Sequence, residues 1–238
     1  MAAVATIFVL CEVLRAQNKA PLVPSGKTRE IAEHVYVIPD QRMNVVPNIG
    51  IIVGREGVLV VDTGMGPRNA ETVLNEVKKI TSKPVAYLTI THFHPEHGMG
   101  AQAFPAGTIV IYPTAQKAEL LEKGPAMMKE FSGVSTEIAD LLKPVRFRMP
   151  NITFSEEAEI DLGDFPVRLL HWESGHTLGD NFVFLAQTEH SVWRGCGDKP
   201  ILPYNGRLRL QRHELDPDAR TVGEAEPRHR GARSRRSW

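Results

Sequence analysis

Between Thr91 and Gly98 the chain reads Thr-His-Phe-His-Pro-Glu-His-Gly, which places three of its nine histidines and one carboxylate within the six positions His92 to His97. Neutral imidazole nitrogen and carboxylate oxygen suit zinc at ~2.0–2.2 Å, so the residue types outline a metal site. The apolar run Val85 to Ile90 reads as a buried strand leading into it. If the extended geometry continues, a side-chain period of two puts His92 and His94 on one face, converging on one point. Pro95 then ends the strand, and a turn after it brings Glu96 and His97 round from another direction. Two imidazoles can meet one ion, and a carboxylate with an imidazole a second. The plainer alternative, a surface loop rich in histidine, is disfavoured by the third histidine, the carboxylate and the strand leading in.

A second segment lies about eighty residues downstream. Ser174-Gly175-His176-Thr177-Leu178-Gly179-Asp180-Asn181 falls between two strand-like runs, Phe165 to His171 and Asn181 to Ala186. His176 therefore sits on a strand-connecting loop, where ligands are commonly presented. Taken alone it reads as a capping or surface histidine, since Gly and Thr also make ordinary turns.

Together the His92 to His97 segment, Gly175-His176-Thr177 and, upstream, Val60-Val61-Asp62-Thr63-Gly64 resemble the metallo-β-lactamase superfamily of zinc hydrolases, from about His34 to Ala186. The resemblance implies an α/β (α+β) fold, a four-layer αββα sandwich of two mixed β-sheets with outer helices, incomplete at the C-terminus. The metals would lie in a shallow groove at one edge. It also implies roles: His92, His94 and His176 hold a first zinc, Glu96 and His97 contribute to a second, and Asp62 orients the metal-binding loop. For Asp62 a simple turn before Thr63-Gly64 is the alternative.

The chain departs from the family at Glu96, where the usual acid is aspartate. An extra methylene moves the carboxylate by roughly one C–C bond and adds a torsion, which puts the second metal in doubt. One zinc with three imidazoles and an open position is already a competent hydrolytic centre. A larger departure follows residue 187. The family's next strand ends in Gly-Asp, whose carboxylate bridges both metals; here Ser191 to Lys199 does not read as a strand. Asp198 is the best in-frame candidate for the bridging ligand, with the Cys196 thiolate as an alternative. With permitted codons, Ser191 to Asp198 read one base later gives Leu-Phe-Gly-Gly-Asp-Val-Val, the family's pattern, which suggests a local reading-frame slip. His213 and His229 are the histidines left to complete a second site, and neither has the family's flanking residues.

The elements that must position these groups can be read around them. His34 to Ile38, Ile49 to Gly54 and Gly57 to Asp62 read as strands, the last two joined at Arg55-Glu56 in a tight hairpin. Asn69 to Ile80 is amphipathic, with Val73, Leu74, Val77 and Ile80 on one face. Thr108 to Pro113 reads as a strand, and Thr114 to Leu142 as mostly helical with a break at Gly124-Pro125. In that helix Met127, Met128 and Phe131 are expected in the core rather than in the groove. Ile152 to Leu162 and Phe165 to His171 are expected to close the second sheet.

Composition bounds the rest. A chain of 238 residues with 42% hydrophobic content suits one globular domain, and a formal net charge of zero removes any general argument for nucleic acid or a membrane as partner. Two cysteines, Cys11 and Cys196, make no disulfide scaffold. Ala2 to Cys11 is an apolar run of the length of a secretory signal core, although no Lys or Arg precedes it, so residues 1–17 are a possible signal peptide. A periplasmic or secreted location is expected ahead of a cytoplasmic one. Residues 18–33 read as a linker, 34–222 as the metallo-β-lactamase-like domain, and 223–238, with five arginines, as a disordered tail.

The expected chemistry is hydrolysis of a small-molecule substrate. Bound zinc lowers the pKa of its water to ~7 and polarises the scissile carbonyl, with Glu96 taking or relaying a proton. An amide, lactam, ester or thioester fits; the Asp180-Asn181 ending is similar to lactam-hydrolysing relatives, and a thioesterase of the glyoxalase II type has equal claim. The other expectations are a catalytically impaired metal-binding relative and an iron-dependent redox relative, the latter needing a flavin module for which this chain has no room. If the frame reading is right, replacing the Ser191 to Asp198 region by Leu-Phe-Gly-Gly-Asp-Val-Val should raise the melting temperature and the zinc content. A cooperative, high thermal transition with two zinc ions in the unaltered protein would overturn it.

Overall fold

Short runs of valine and isoleucine bounded by turn residues become the strands, and the longer periodic segments the helices. The structure, a computed structural model, describes residues 20–172, 175–185 and 192–193. In chain order it contains β1 (Arg29–Ala32), β2 (Val35–Ile38), β3 (Ile49–Val53), β4 (Val58–Val61), α1 (Gly66–Ile80), β5 (Val85–Thr89), α2 (Pro95–Gly98), β6 (Ile109–Pro113), α3 (Thr114–Ser132), α4 (Thr136–Leu142), β7 (Ile152–Phe154), β8 (Glu157–Asp161), β9 (Pro166–Leu170), β10 (Phe182–Phe184) and β11 (Val192–Trp193). Strands β1 to β7 form one seven-stranded sheet in sequence order, and β11-β10-β9-β8 form a second. The first sheet is mixed: β1 to β4 pair antiparallel, whereas β4, β5, β6 and β7 run parallel. The second is antiparallel throughout its described strands, not mixed as expected.

Alternation assigns the two faces of the first sheet. Ile49, Ile51, Val58 and Val60 pack with Ala70, Val73 and Val77 of α1 and with Ile138, Leu141 and Leu142 of α4. Their neighbours Ile52, Leu59 and Val61 point the other way and meet Ile160, Val167, Leu169 and Val183 of the second sheet. All four β4 residues are buried, which is why Val58 to Val61 reads as an unbroken apolar run. Leu170 and Phe184 occupy the far face of the second sheet with Trp172 and Phe182. The outer helices expected on that face are not found among the described residues, and no described helix is long and apolar enough to cross a membrane.

Several expectations are corrected. Ile152 to Leu162 is not one strand of the second sheet: Ile152–Phe154 adds parallel to β6 in the first sheet, and the chain bends at Ser155-Glu156 before β8 enters the second. Helix α3 runs through Gly124-Pro125 without a break. The carbonyl that Pro125 leaves without a partner belongs to Leu121, which is 58% exposed, so water can meet it. The interruption falls instead at Gly133 to Ser135, where the Ser135 hydroxyl caps α4 by accepting from Ile138 N. Met127, Met128 and Phe131 pack against the helix-side core, as expected. Val192–Trp193 does form a strand, pairing with β10, where the sequence did not read as one. Residues 1–17 and 223–238, with Cys11, Cys196, Asp198, His213 and His229, lie outside the described residues.

The stretch expected as a linker, 18–33, ends in β1 and is pinned to α1 over its described part. Asn69 and Glu76 stand two turns apart on one helix face, both buried, and each needs partners. Asn69 bonds Val23 N and Pro21 O, and the Glu76 carboxylate accepts from Gly26 N, Ser25 Oγ, Thr28 Oγ1 and Lys79 Nζ. Burial works against the charge on Glu76, but the donors from Lys79, Thr28 and Gly26 win and hold its pKa at about 2 against an ordinary 4.5. A carboxyl whose folded pKa is depressed adds stability that is fully present above its unfolded value and lost as pH falls. Acid should therefore remove roughly 3 kcal/mol between about pH 5 and pH 2 through this group. Denaturant unfolding across that window should show a shallower pH dependence for Glu76→Gln than for the unaltered chain, together with a loss of roughly 2–3 kcal/mol at pH 7. Equal slopes would show that Glu76 is not the titrating tether.

Candidate metal centre

Parallel β4, β5 and β6 end at one edge of the sheet, and the candidate residues emerge there. After β4 the chain turns sharply because Asp62 adopts a left-handed conformation, φ 68°, which aspartate tolerates better than most residues. The turn sends its carboxylate under the segment that follows β5. Asp62 Oδ1 accepts from Thr91 N at 2.8 Å, Oδ2 accepts from Thr91 Oγ1 at 2.9 Å, and Oδ2 lies 2.9 Å from His97 Nδ1. These bonds go to the 91–97 segment and not to the residues of its own turn. Thr63 adds a second clasp, its N and Oγ1 both donating to His97 O while Oγ1 accepts from Gly100 N. Gly100 has no room for a side chain, since a Cβ would stand 2.8 Å from both Ala70 Cβ and Thr63 Oγ1.

The segment itself differs from the extended strand expected. β5 stops at Thr89, and residues 91–94 follow in bends. Phe93 nevertheless enters the helix-side core, leaving His92 and His94 with ring centroids 4.7 Å apart. Pro95 opens the short helix α2, which carries Glu96 and His97 back toward the same point, so the turn after the proline is as read. His92 and His97 centroids approach to 4.0 Å.

His176 arrives from the loop before β10. Its ring lies 4.9 Å from that of His92 and 4.8 Å from that of His94, across 82 residues of sequence. Asp180 closes the loop by accepting from His176 N, Thr177 N and Thr177 Oγ1, and His171 Nδ1 meets Asp180 O at 2.9 Å. Asn181 ties it to the other segment, its N donating to Thr91 O and its Nδ2 to Thr89 Oγ1 and Ile90 O. Thr91, Asp180 and Asn181 thus build the frame of the site. Their roles leave little trace in the sequence beyond adjacency to His92 and to the Gly-His-Thr segment.

Among the described residues two groups of ligand atoms result, each within 4.8 Å: His92, His94 and His176, and His92, Glu96 and His97. Their chemistry fits a cation. Zinc with nitrogen ligands at ~2.0–2.1 Å in a tetrahedron spaces those nitrogens by roughly 3.3–3.4 Å, and His176 Nε2 stands 3.3 Å from His94 Nδ1. Burial, helped by His176 and His97, lowers the His94 pKa to about 4, so the ring is neutral with its lone pair available at neutral pH. Burial also opposes charge on His97, but the Asp62 carboxylate and then Glu96 outweigh it and raise its pKa above 6.5. That field favours positive charge at His97 Nε2, the atom turned away from Asp62. Glu96 Oε1 lies 3.9 Å from His94 Nδ1 and 4.0 Å from His97 Nε2, and its Oε2 is buried with no hydrogen-bond partner, as a carboxylate awaiting a cation would be.

Comparison with known proteins gives the family. A profile described as the metallo-beta-lactamase superfamily matches residues 43–188, and the chain belongs to that superfamily. A linear primary-alkylsulfatase from Pseudomonas sp. (strain ATCC 19151) is 45% identical over 49 residues, 21% of this chain and 9% of that protein. Among solved structures, a metallo-beta-lactamase from Pontibacter korlensis has a TM-score of 0.52 at 19% identity, covering 67% of this chain and 66% of its own. One from Elizabethkingia meningoseptica has a TM-score of 0.53 at 18% identity, covering 70% and 58%. A stereoselective inverting sec-alkylsulfatase from Pseudomonas sp. has a TM-score of 0.51 at 17% identity, covering 67% and 29%. The chain thus spans under two thirds of these structures' lengths and a small part of the primary-alkylsulfatase. At these identities the structures establish the fold.

Glu96 reaches the cluster with its longer arm, its Oε1 about equally far from His94 Nδ1 and His97 Nε2. Glu96→Asp should retract the carboxylate by ~1.5 Å and weaken a second equivalent of zinc about tenfold or more, leaving the first unchanged. Calorimetric titration with zinc reads both steps. A tighter second step in the aspartate variant would show instead that the longer arm misplaces the carboxylate.

Proposed function

We propose that this member of the metallo-β-lactamase superfamily is a zinc-dependent hydrolase of a small-molecule substrate, with His92, His94 and His176 holding one ion and Glu96 and His97 contributing to a second. Support comes above all from three imidazoles, contributed by two separately tethered loops, whose ligand atoms lie within 4.8 Å of one another, with His176 Nε2 and His94 Nδ1 at the 3.3 Å spacing of tetrahedral ligands. When bound, zinc supplies Lewis acidity and a water that ionises near pH 7. The protein's own groups supply the rest. Glu96 takes the proton of the attacking water or passes it to the leaving group, its Oε2 having no other partner. Asp62 fixes the His97 ring through Nδ1 and leaves Nε2 to the cation. Asp198 remains the proposed bridging ligand, and export remains the proposed location on the strength of the Ala2 to Cys11 run.

The bond cleaved is an amide, lactam, ester or thioester in the primary reading. A second reading, a sulfate ester, is favoured by the 49-residue match to a linear primary-alkylsulfatase. Leu178, 58% exposed two residues from His176, offers an apolar contact to a substrate of either kind. The test joins elemental analysis to a panel of a β-lactam, a carboxylic ester, a thioester and a primary alkyl sulfate. His94→Ala should lose most of about one equivalent of tightly bound zinc and at least ~100-fold in kcat/KM on whichever substrate the unaltered chain turns over. Unchanged zinc in the variant would remove the ligand assignment. Zinc bound with no turnover of any substrate would identify the impaired relative.

A further inference from the structure

We infer that Glu119 on α3 is a positioning residue that sets where His176 meets the metal, an inference that rests on the reading of His176 as a ligand. Glu119 is 4% exposed, and its Oε2 accepts from Gly179 N at 2.9 Å in a buried bond spanning 60 residues. Its Oε1 accepts from Lys123 Nζ one helical turn on, which pairs the charge. Gly179 lies three residues after His176, and directly after it Asp180 holds the His176 and Thr177 amides. The carboxylate of α3 therefore grips the loop beside the residue that closes it.

The contact leaves no slack. A Cβ on Gly179 would stand 2.3 Å from both the Cα and N of Gln116, so the loop backbone lies flat on the first turn of α3. Glu119 follows Gln116 by three residues, on the same helix face, and adds the directional bond to this steric seat. On its other side the loop is held by Asn181 N donating to Thr91 O, next to His92. His176 thus hangs between an anchor on the 91–97 segment and an anchor on α3. The 3.3 Å approach of His176 Nε2 to His94 Nδ1 depends on both. Outer partners of metal ligands typically hold 10–100-fold of affinity, because an ion bound by preplaced ligands has no ordering of the loop to offset.

The experiment compares Glu119→Ala, Glu119→Gln and Lys123→Ala by zinc competition with a chromophoric chelator and by amide hydrogen exchange over residues 175–181 in the metal-free protein. Glu119→Ala should weaken the tight zinc step about 10–100-fold and speed exchange at Gly179 at least about tenfold. Glu119→Gln keeps an oxygen facing Gly179 N and should restore both to within about threefold. Lys123→Ala, which spares the bond, should change neither. If Glu119→Ala does not fold, Gly179→Ala tests the same seat with Glu119 intact and should weaken zinc comparably. A Glu119→Ala protein that melts lower but keeps both its zinc affinity and its Gly179 protection would reduce Glu119 to a packing role and overturn the inference. Should the unaltered chain take up no zinc, the metal reading fails, and the exchange data alone decide the tether: unchanged protection in Glu119→Ala overturns it and lost protection supports it.

Discussion

The Asp62 carboxylate is the interaction on which the site depends. It is fully buried, and a buried charge costs several kcal/mol unless its oxygens are well supplied with donors. Thr91 N, Thr91 Oγ1 and His97 Nδ1 supply them, and all three belong to the segment that carries the histidines. Asp62 also sits at φ 68°, a conformation costing roughly 1–2 kcal/mol for a residue with a Cβ. Desolvation and backbone strain are both offset only when the 91–97 segment is in place. The order of that segment and the acceptability of Asp62 are therefore one property.

The sheet explains why this exchange can occur. β4 is buried on both faces, between the helices on one side and the second sheet on the other, so its end cannot shift without disturbing two cores. β5 is paired to it in parallel, with Val61 opposite Thr89, which brings Asp62 and Thr91 out at the same level. Parallel strands deliver their carboxyl ends to one edge, and connections leaving that edge form the crevice in which ligands bind. Asp180 and Asn181 attach the third histidine to this edge from the second sheet, since β10 begins at Phe182.

Much of this was legible, for a physical reason: the ligand chemistry is local in sequence. His92, His94, Glu96 and His97 occupy six positions, and Pro95 announces the turn that folds them together. His176 and Asp62 could be joined to them only through the family resemblance, because nothing local says that residues 82 or 35 positions apart meet. The illegible parts depend on distant surroundings. Ile152–Phe154 has the same apolar character whichever sheet it joins, and only pairing with β6 decides. Pro125 reads as a helix breaker, yet tolerance follows from solvent at Leu121. Glu119 looks like half of an ordinary surface pair with Lys123 until Gly179 is brought against it. Residues 29–32 lack the apolar alternation of a half-buried strand, and pairing with β2 makes them one.

The two ligand groups are not equivalent, and the geometry orders them. His92 belongs to both, but it offers one ligand atom and can serve one ion. Given to the group with His94 and His176, it completes three imidazoles, the complement of a catalytic zinc that keeps a fourth position open. The other group then retains Glu96 and His97, two ligands, and its remaining positions must be filled by water or by residues outside the described ones. Loss of a ligand weakens a site far more than loss of an outer partner, so the first group is the better built of the two to hold an ion. Glu96 stands between them, about equally far from His94 Nδ1 and His97 Nε2, so an ion at either position would meet its charge and alter the field at the other.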